Sequence, residues 1–342
     1  METKYKPGAG IDVGTSNICV SRQTEDGTFV NKHYRNMLYE LEVSDESRDL
    51  VEKSSYLYIH TNDKYYIIGD DALKLVNAIG KGEILRPMKD GLLNPSLKES
   101  SELLFFILKS IIGKPIIENE PLRFTTPANP IDSNINNTFH KSLLCNFFNK
   151  LGYSAKPINE ATCICIDSNP IMKSSEGDVP FSGIAVSCGA GMWNISLNFK
   201  GLSLVEFSCT KSGDWLDEQA SMVSGMSKSK IIKIKETKLD LTKENLADRA
   251  LTALSIYYDE MIERILHLIS NNFKDKSSEM DGQIEIVLAG GTALVPGFCE
   301  VFEKKCKTAK LPFDIYQVRH AKQPFYSVVQ GACIRALADK SA

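Results

Sequence analysis

The sequence predicts an α/β protein built from two similar halves, and three observations support this prediction. Apolar strand-like runs alternate with helical patterns along most of the chain, which is typical of a largely parallel sheet covered by helices. A glycine turn between two strand-like runs occurs twice, once after Val13 and once after Cys188. With 342 residues, the chain is also too long for one comfortable hydrophobic core, which favours two domains.

The first glycine turn lies in the segment Gly10–Asn17. Residues 5–13 can supply a buried strand, Gly14 allows a tight turn without a Cβ penalty, and the extended pattern then resumes. The amides of such a turn, with the Thr15 and Ser16 hydroxyls, form a site for an anion such as phosphate. Asp12 would repel phosphate by itself, so we expect a cation such as Mg²⁺ between them. Taken alone, the pattern is more often an ordinary hairpin with a local Asx bond.

The second glycine turn strengthens the interpretation of the first. The segment Gly183–Leu197 has the same plan, with an apolar strand, the turn Gly189-Ala190-Gly191 and a second strand. An internal repeat of this kind predicts two related halves that each present a phosphate-binding hairpin to one ligand. We expect that ligand to lie in a cleft between the halves.

Composition excludes several classes of protein. The net charge of −3 gives no broad basic field, so nucleic acid is not an expected partner. The nine cysteines fall mostly in apolar runs and never in Cys-x-x-Cys spacing, which favours reduced, buried thiols. The sequence has no signal-peptide pattern at its start and no apolar run of the roughly 18 residues that a membrane span needs. We therefore expect a cytoplasmic protein without a transmembrane segment.

The remaining elements of the first half follow in order. A small inserted lobe is expected at about 33–84, with two strands and a helix that Asp70 could cap. The segment 85–93 returns to the main domain through a proline and an Asp-Gly turn. Further predicted elements are a buried helix (102–112), a strand (121–126), a long helix with Asp132 near its start (131–151) and a short strand (154–157).

Glu160 follows Asn159 at the start of a predicted helix of small and apolar residues. The polar pair would face the carboxyl end of a sheet, where ligands of α/β proteins normally lie. There, Glu160 could orient a water molecule beside a bound phosphate or accept its proton. A first-turn carboxylate that only complements the helix dipole is an equally good interpretation.

The second half begins after a polar linker at 168–179, which is the best boundary between the halves. A strand (202–210) and a helix (213–222) precede a segment with six lysines at 226–243, whose default interpretation is a solvated face. The longest helical pattern covers 243–272. A strand then ends in Gly290-Gly291, which would let a flat ring or a ribose approach the backbone. An edge strand (314–318) and a final helix (324–337) complete the chain.

The order of these motifs resembles the actin-like ATPase superfamily, and most of all the bacterial actins MreB and MamK. Gly10–Asn17 is similar to the first phosphate loop, and Asn159-Glu160 stands where MreB carries Glu-Glu-Pro. Ser187–Asn194 is similar to the second phosphate loop of the family, and Ala289–Leu294 is similar to its adenosine loop. Two further segments, Arg86–Gly91 and Lys211–Glu218, are similar to stretches typical of MreB. The resemblance runs nearly the full length of the chain.

The resemblance implies the two-domain fold of actins and heat-shock chaperones, with duplicated ribonuclease-H-like domains and small inserted lobes, the second of them reduced. Domain I would cover 1–168 and regain the C-terminal helix 324–342, whereas domain II would cover 169–323, with its reduced lobe at 226–243. The implied ligand is ATP or ADP with Mg²⁺. Asp12 would hold the metal and Glu160 would be catalytic. The implied nucleotide-binding residues are Gly14, Thr15, Ser16, Asn17, Gly189, Ala190, Gly191, Gly213, Lys230, Gly290, Gly291 and Thr292.

Two departures from the family pattern affect the implied chemistry. Ser187 and Met192 stand where relatives carry an aspartate of the magnesium shell and a threonine that reaches phosphate. Losing an anionic group of that kind typically weakens metal binding or activity by roughly 10- to 100-fold, so we expect slow or absent ATP hydrolysis. The second departure lies in the lysine-rich segment. There, Lys230 and Ile231 stand where many relatives carry a glutamate that binds the ribose.

The sequence supports two functions of different classes. The first is an actin-like cytoskeletal protein that binds ATP with Mg²⁺ between its domains and polymerises into filaments. The alternative is a non-polymerising adaptor or regulator that keeps the fold with a degenerate ATPase site. A small-molecule kinase ranks lower, because no equivalent of a catalytic aspartate facing a sugar pocket occurs. Adaptor proteins are possible partners in the first case, and the sequence leaves any membrane tether open.

Overall fold

The computed structural model describes residues 4–61, 63–80, 82–168, 172–174, 177–244, 247–280 and 283–339. In the first half, the strands are β1 (Tyr5–Val13), β2 (Asn17–Thr24), β3 (Phe29–Arg35), β4 (Leu38–Glu42), β5 (Tyr58–Thr61), β6 (Lys64–Ile68), β7 (Ile84–Leu85), β8 (Met88–Lys89), β9 (Leu92–Leu93), β10 (Glu120–Thr126) and β11 (Tyr153–Asn159). The helices are α1 (Asp45–Lys53), α2 (Asp70–Ile79), α3 (Ser100–Ile112), α4 (Thr138–Lys150) and α5 (Glu160–Ser168).

In the second half, the strands are β12 (Met172–Ser174), β13 (Gly177–Val179), β14 (Gly183–Cys188), β15 (Trp193–Phe199), β16 (Leu202–Cys209), β17 (Ile284–Ala289) and β18 (Ile315–His320). The helices are α6 (Gly213–Ser224), α7 (Lys228–Thr237), α8 (Arg249–Phe273), α9 (Phe298–Cys306) and α10 (Ser327–Asp339). Two 3₁₀ turns, Lys274–Glu279 and Gly291–Leu294, complete this half.

Two five-stranded sheets with the same topology form the framework. Their strand orders are β11-β10-β1-β2-β3 and β16-β15-β14-β17-β18. In each sheet, three consecutive strands form an antiparallel meander, and two later strands add in parallel beside its first strand. The internal repeat predicted from the two glycine turns is therefore a repeat of a whole sheet. The chain therefore has the two similar α/β halves expected from the sequence.

Each large sheet has its own hydrophobic core. The core of the second sheet contains Trp193, Tyr258 and Phe298, all fully buried. A third cluster lies between the sheets and joins α5 and α10 to β14 and β17. Glycines allow close contact there, because a Cβ on Gly10 would lie 2.5 Å from the Cys333 amide nitrogen. Helix α10 thus packs directly on β1 of the first sheet.

A small lobe is inserted after β3. Its sheet has the order β5-β6-β4-β7 and, with α1 and α2, encloses a separate apolar cluster that includes Tyr39 and Ile67. In the second half, the corresponding region is reduced to α7 and its flanking loops. The small lobes carry residues that face the cleft between the two large sheets. The domain bounds given above stay a prediction.

Several elements differ from the sequence prediction. Asp70 does not cap α2: Gly69 occupies the N-cap without a side-chain bond, and Asp70 pairs with Arg35 instead. The helix expected at 131–151 begins only at Thr138, because Asp132 accepts a hydrogen bond from the Thr210 amide and pairs with Arg264. The helix expected from Lys243 begins at Arg249, where the Asp248 carboxylate caps it. The predicted linker includes two short strands, β12 and β13, and residues 169–171 and 175–176 lie outside the described residues.

All nine cysteines belong to the described residues and carry free thiols, and most of them are buried. Among the described residues, no helix combines the length and the apolar character needed to cross a membrane.

Candidate functional site

A cavity of about 390 Å³ lies between the two large sheets. Both glycine turns, the start of α5, the turn after β17 and the end of α7 contribute to its walls. The predicted site residues that line it are Asp12, Gly14, Thr15, Ser16, Asn17, Glu160, Gly189, Ala190, Gly191, Gly290, Gly291 and Thr292. Residues that lie at distant points of the sequence are therefore brought to one cleft.

The two glycine turns have the same local geometry. A Cβ on Gly14 would lie 2.5 Å from the carbonyl oxygen of Asn17, and a Cβ on Gly189 would lie 2.6 Å from that of Met192. Only glycine allows each turn to fold this tightly. Asn36 supports the first turn, since its side-chain amide donates to the Gly14 carbonyl at 3.0 Å. Two equivalent turns thus face the cavity from the two sheets.

The turns contact each other through a third loop, the Asp90-Gly91 turn between β8 and β9. The Gly91 amide donates to Thr15 Oγ1 at 3.0 Å. A Cβ on Gly191 would overlap both Thr15 Oγ1 and the Gly91 amide nitrogen. The first turn, the second turn and the connecting loop therefore meet at one point, where no side chain larger than glycine fits at position 191.

Gly213 supports the second turn from behind. The Gly189 carbonyl accepts hydrogen bonds from Thr292 Oγ1 at 3.0 Å and from the Gly213 amide at 3.3 Å. A Cβ on Gly213 would lie 2.5 Å from Thr292 Oγ1. Gly213 does not itself line the cavity. It fixes the position of two residues that do.

Asp12 and Glu160 are the two carboxyl groups on the floor of the cleft. Thr125 Oγ1 donates to Asp12 Oδ1 at 2.5 Å, and Ser187 Oγ donates to Glu160 Oε2 at 2.9 Å. Burial raises the pKa of Asp12 above its usual range, against the effect of the Thr125 bond. Burial also raises the pKa of Glu160, and the negative charge of Asp12 adds to that rise. A bound cation would relieve the repulsion between them.

The described residues of the cleft form no metal site made of protein groups alone. Within the described ranges, no group of three or more His, Cys, Asp or Glu side chains could hold a metal ion. Mg²⁺ is commonly held by one or two carboxylates, several waters and the phosphates of a substrate. The single carboxylate Asp12 beside two glycine turns fits that mode of binding.

Met192 forms an apolar wall at the position where the resemblance to actin-like ATPases implies a hydroxyl. It is buried, and a Cβ on Gly91 would lie 3.0 Å from its Cγ. The Ser208 hydroxyl donates to its sulfur at 3.5 Å. Met192 therefore packs the second turn against the Asp90-Gly91 loop and offers no strong hydrogen-bond donor to a ligand.

Sequence reasoning missed several residues that face the cleft, including Arg35, Lys235 and Glu236. The lysine-rich composition of 226–243 pointed to this region, but Lys230 is exposed on α7 and does not line the cavity. Lys235, further along the same helix, does line it, and its ammonium lies 2.7 Å from the buried Asp217 carboxylate. Nothing in the sequence around Arg35 indicated a site.

The two segments that resemble MreB meet at the edge of the cleft. Arg86 precedes the Asp90-Gly91 turn, and its guanidinium lies 2.6 Å from the Asp214 carboxylate at the start of α6. Burial would raise the pKa of Asp214, but Arg86 and nearby lysines outweigh it and hold that pKa below its usual value. The ion pair connects the two halves of the chain beside the site.

Comparisons with known proteins agree with this geometry. A family model described as volactin matches residues 8–336. No curated protein sequence matches the chain. Its structure is similar to that of the "MamK double helical filament", with 17% identity, a TM-score of 0.67, and 96% of this chain and 98% of the other covered.

Two structures of MreB5 of Spiroplasma citri are also similar. The one bound to ADP has 15% identity and a TM-score of 0.65, with 97% of each chain covered. The one bound to AMPPNP has 15% identity and a TM-score of 0.66, with 100% of this chain and 98% of the other covered. At such identities, these similarities establish the actin-like fold.

Proposed function

The chain belongs to the volactin family, and we propose that it is an actin-like cytoskeletal protein that binds ATP with Mg²⁺ in its cleft and polymerises into filaments. In this proposal ATP hydrolysis is slow. The observation that carries the proposal is the convergence of two equivalent glycine turns, one from each sheet, on one cavity that also contains Asp12 and Glu160. A triphosphate is the ligand that such opposed anion sites fit best.

The backbone of the two turns would bind the phosphates. In the first turn, Gly14 to Asn17 line the cavity, and their amides with the Thr15 and Ser16 hydroxyls would be the donors to phosphate. In the second turn, Gly189 to Gly191 does the same without a hydroxyl group. The fold of MreB5, which is solved with ADP and with AMPPNP, supports a nucleotide as the occupant.

Asp12 would hold Mg²⁺, directly or through water. Mg²⁺ supplies charge neutralisation of the phosphates during phosphoryl transfer. The Thr125 hydrogen bond fixes the Asp12 carboxylate, and the Val13 amide donates to the same Thr125 oxygen at 3.2 Å. Glu160 would orient a water molecule toward the terminal phosphate and accept its proton. With Ser187 and Met192 in the second turn, fewer polar groups stabilise the developing charge, so hydrolysis would be slow.

Filament formation would follow from closure of the cleft. A nucleotide bound by both sheets favours the closed arrangement of the two halves, because it contacts both. Closure changes the relative position of surfaces at the two ends of the molecule. A head-to-tail contact whose rotation does not close then produces a filament. The filament formed by the structurally similar MamK supports this step.

Sedimentation with a Glu160→Gln variant tests the proposal. We expect the wild-type protein to pellet with ATP and Mg²⁺ and to stay in the supernatant without nucleotide. Glu160→Gln should bind ATP, release phosphate much more slowly than the wild type and form longer-lived filaments, because glutamine cannot accept a proton from the attacking water. Wild-type protein that binds ATP but never pellets would contradict polymerisation.

The alternative of a non-polymerising adaptor is favoured by one observation. Ser187 and Met192 leave the second turn without the carboxylate and the hydroxyl that relatives use. Under that alternative, the protein stays monomeric at all concentrations, with or without ATP. Static light scattering during a concentration series separates the two hypotheses.

A further inference from the structure

Ser187 has a partner that its interpretation as a lost metal-shell residue does not explain. Its side chain is only 3% exposed, and its hydroxyl donates to Glu160 Oε2 at 2.9 Å. The bond joins the end of β14 to the start of α5. A serine hydroxyl therefore contacts the carboxylate that would activate water in the proposed hydrolysis.

Asn194 lies beside Ser187 on the neighbouring strand. It is the direct register partner of Ser187 in the β14–β15 pair, and it is fully buried. The Ala128 amide donates to its Oδ1 at 2.9 Å, which fixes the orientation of the side-chain amide. Its Nδ2 is buried and has no hydrogen-bond partner within the described part of the chain. Burial and the charge of Asp12 raise the pKa of Glu160, and the Ser187 hydroxyl opposes that rise because it donates to the ionised carboxylate.

We infer that Ser187 is a positioning residue that holds the Glu160 carboxylate in the orientation needed to activate water, an inference that rests on the proposed function. The charge of Asp12 disfavours the ionised Glu160 carboxylate, and the Ser187 hydrogen bond opposes that effect. The hydroxyl supplies a donor that needs no metal ion. An aspartate at position 187 has no proton to donate when ionised and would repel Glu160 as well. Ser187 therefore lacks the metal-shell role of an aspartate and instead positions the Glu160 carboxylate.

The contact is local enough to be tested without unfolding the protein. Helix α5 already packs on β14 through Ala161 and Ala185, both fully buried. Loss of the single Ser187 hydrogen bond leaves that packing intact. Ser187→Ala removes the donor, whereas Ser187→Thr keeps it. Ser196→Ala is a matched control, because Ser196 is a buried serine of the same sheet that does not line the cavity.

Steady-state kinetics of phosphate release and separate nucleotide-binding titrations provide the test. With ATP and Mg²⁺, we expect Ser187→Ala to lower kcat about tenfold, the effect of one lost hydrogen bond to a charged group, with KM changed less than twofold. Ser187→Thr should restore most of the rate, and Ser196→Ala should match the wild type. In the Glu160→Gln background, Ser187→Ala should have no further effect, because the serine acts through Glu160.

Three results would overturn the inference. The first is a parallel rise of KM in Ser187→Ala, which would assign Ser187 to binding. The second is multiplicative loss in the double variant, which would separate Ser187 from Glu160. The third is a wild-type protein that binds nucleotide but releases no phosphate, which removes the positioning role while leaving nucleotide binding in place. Absence of nucleotide binding in the titration would instead reject the proposed function, and the inference with it.

Discussion

Arg35 and Glu236 form a bidentate ion pair across the cleft, with N–O distances of 3.0 and 2.9 Å. Arg35 ends β3 of the first half, whereas Glu236 lies on α7 of the second, and both line the cavity. The Nε of Arg35 also donates to Asp70 of the inserted lobe at 2.6 Å. The pair thus connects three parts of the molecule at the site where a nucleotide would enter.

Removing this pair should speed nucleotide release. The Arg35 side chain is 19% exposed and Glu236 is 41% exposed, so the pair is worth about 1 kcal/mol, which corresponds to roughly a fivefold change in rate. We expect Arg35→Ala and Glu236→Ala to raise the release rate of a fluorescent ATP analogue by about that factor, and the double variant to add little more. Arg48→Ala is the control, since the Arg48–Asp45 pair is exposed on α1. Additive effects of the two single substitutions would argue against a shared contact.

Two glycines of the cleft should respond differently to alanine. A Cβ on Gly191 would overlap Thr15 and the Gly91 amide, whereas a Cβ on Gly291 would meet no atom within 4 Å. Gly191→Ala should therefore lower the free energy of unfolding by about 1–3 kcal/mol through overpacking. Gly291→Ala should leave it within about 0.5 kcal/mol of the wild type but weaken ATP binding, if the nucleotide fills that space. Urea unfolding and calorimetric titration measure the two effects; equal ATP affinity for Gly291→Ala and wild type would place the nucleotide elsewhere.

Asp12→Asn should remove the dependence of ATP binding on Mg²⁺. In the presence of Mg²⁺, we expect the variant to bind ATP about 10- to 100-fold more weakly than the wild type. Without Mg²⁺ it should bind at least as well, because a negative charge beside the phosphates is gone. Asp26→Asn, an exposed substitution in the same half, should behave like the wild type. Calorimetric titrations with Mg²⁺ and with EDTA compare the three proteins, and an unchanged Mg²⁺ dependence in Asp12→Asn would contradict a metal-binding role.

His140 should make the fold less stable in mild acid. Both ring nitrogens are buried without a hydrogen-bond partner among the described residues, and burial lowers the pKa of His140 to about 4. Between that pKa and the ordinary value of about 6.5, the unfolded chain binds more protons than the folded one, so stability is lost as the pH falls. We expect this group to cost about 2 kcal/mol between pH 7.5 and pH 5.

A His140→Leu variant isolates that contribution. Carboxylates also titrate in this pH range. The free energy of unfolding in urea is therefore measured against pH for the wild type and the variant, and the two pH dependences are compared. We expect the variant to lose about 2 kcal/mol less than the wild type on acidification. Identical losses of stability would show that the folded protein binds a proton at His140 as readily as the unfolded chain does.

The sequence was informative where a site depends on local backbone geometry. Gly14 and Gly189 each begin a turn between two strands, and both the glycine and the alternating flanks are visible in a few consecutive residues. The position of Glu160 after a strand-like run left two interpretations equally open, a group that faces a ligand and a carboxylate that complements the helix dipole. These features are local, and the structure places all three residues on the wall of one cavity.

The sequence was uninformative where a contact joins distant segments. Arg35 and Glu236 are 201 positions apart, and an ion pair leaves no periodicity in the sequence around either residue. Asp132 looked like a helix start, but its bonds to Thr210 and Arg264 hold it in a loop. Ser187 was interpreted as a loss because its role depends on Glu160, which only folding brings within 2.9 Å.

A structure determined with AMPPNP and Mg²⁺ tests the central claim most directly. The account predicts a triphosphate between the Gly14–Asn17 turn and the Gly189–Gly191 turn, with Mg²⁺ on the side of Asp12 and Glu160 facing the terminal phosphate. An empty cleft at saturating nucleotide, or a nucleotide bound at another surface, would contradict it.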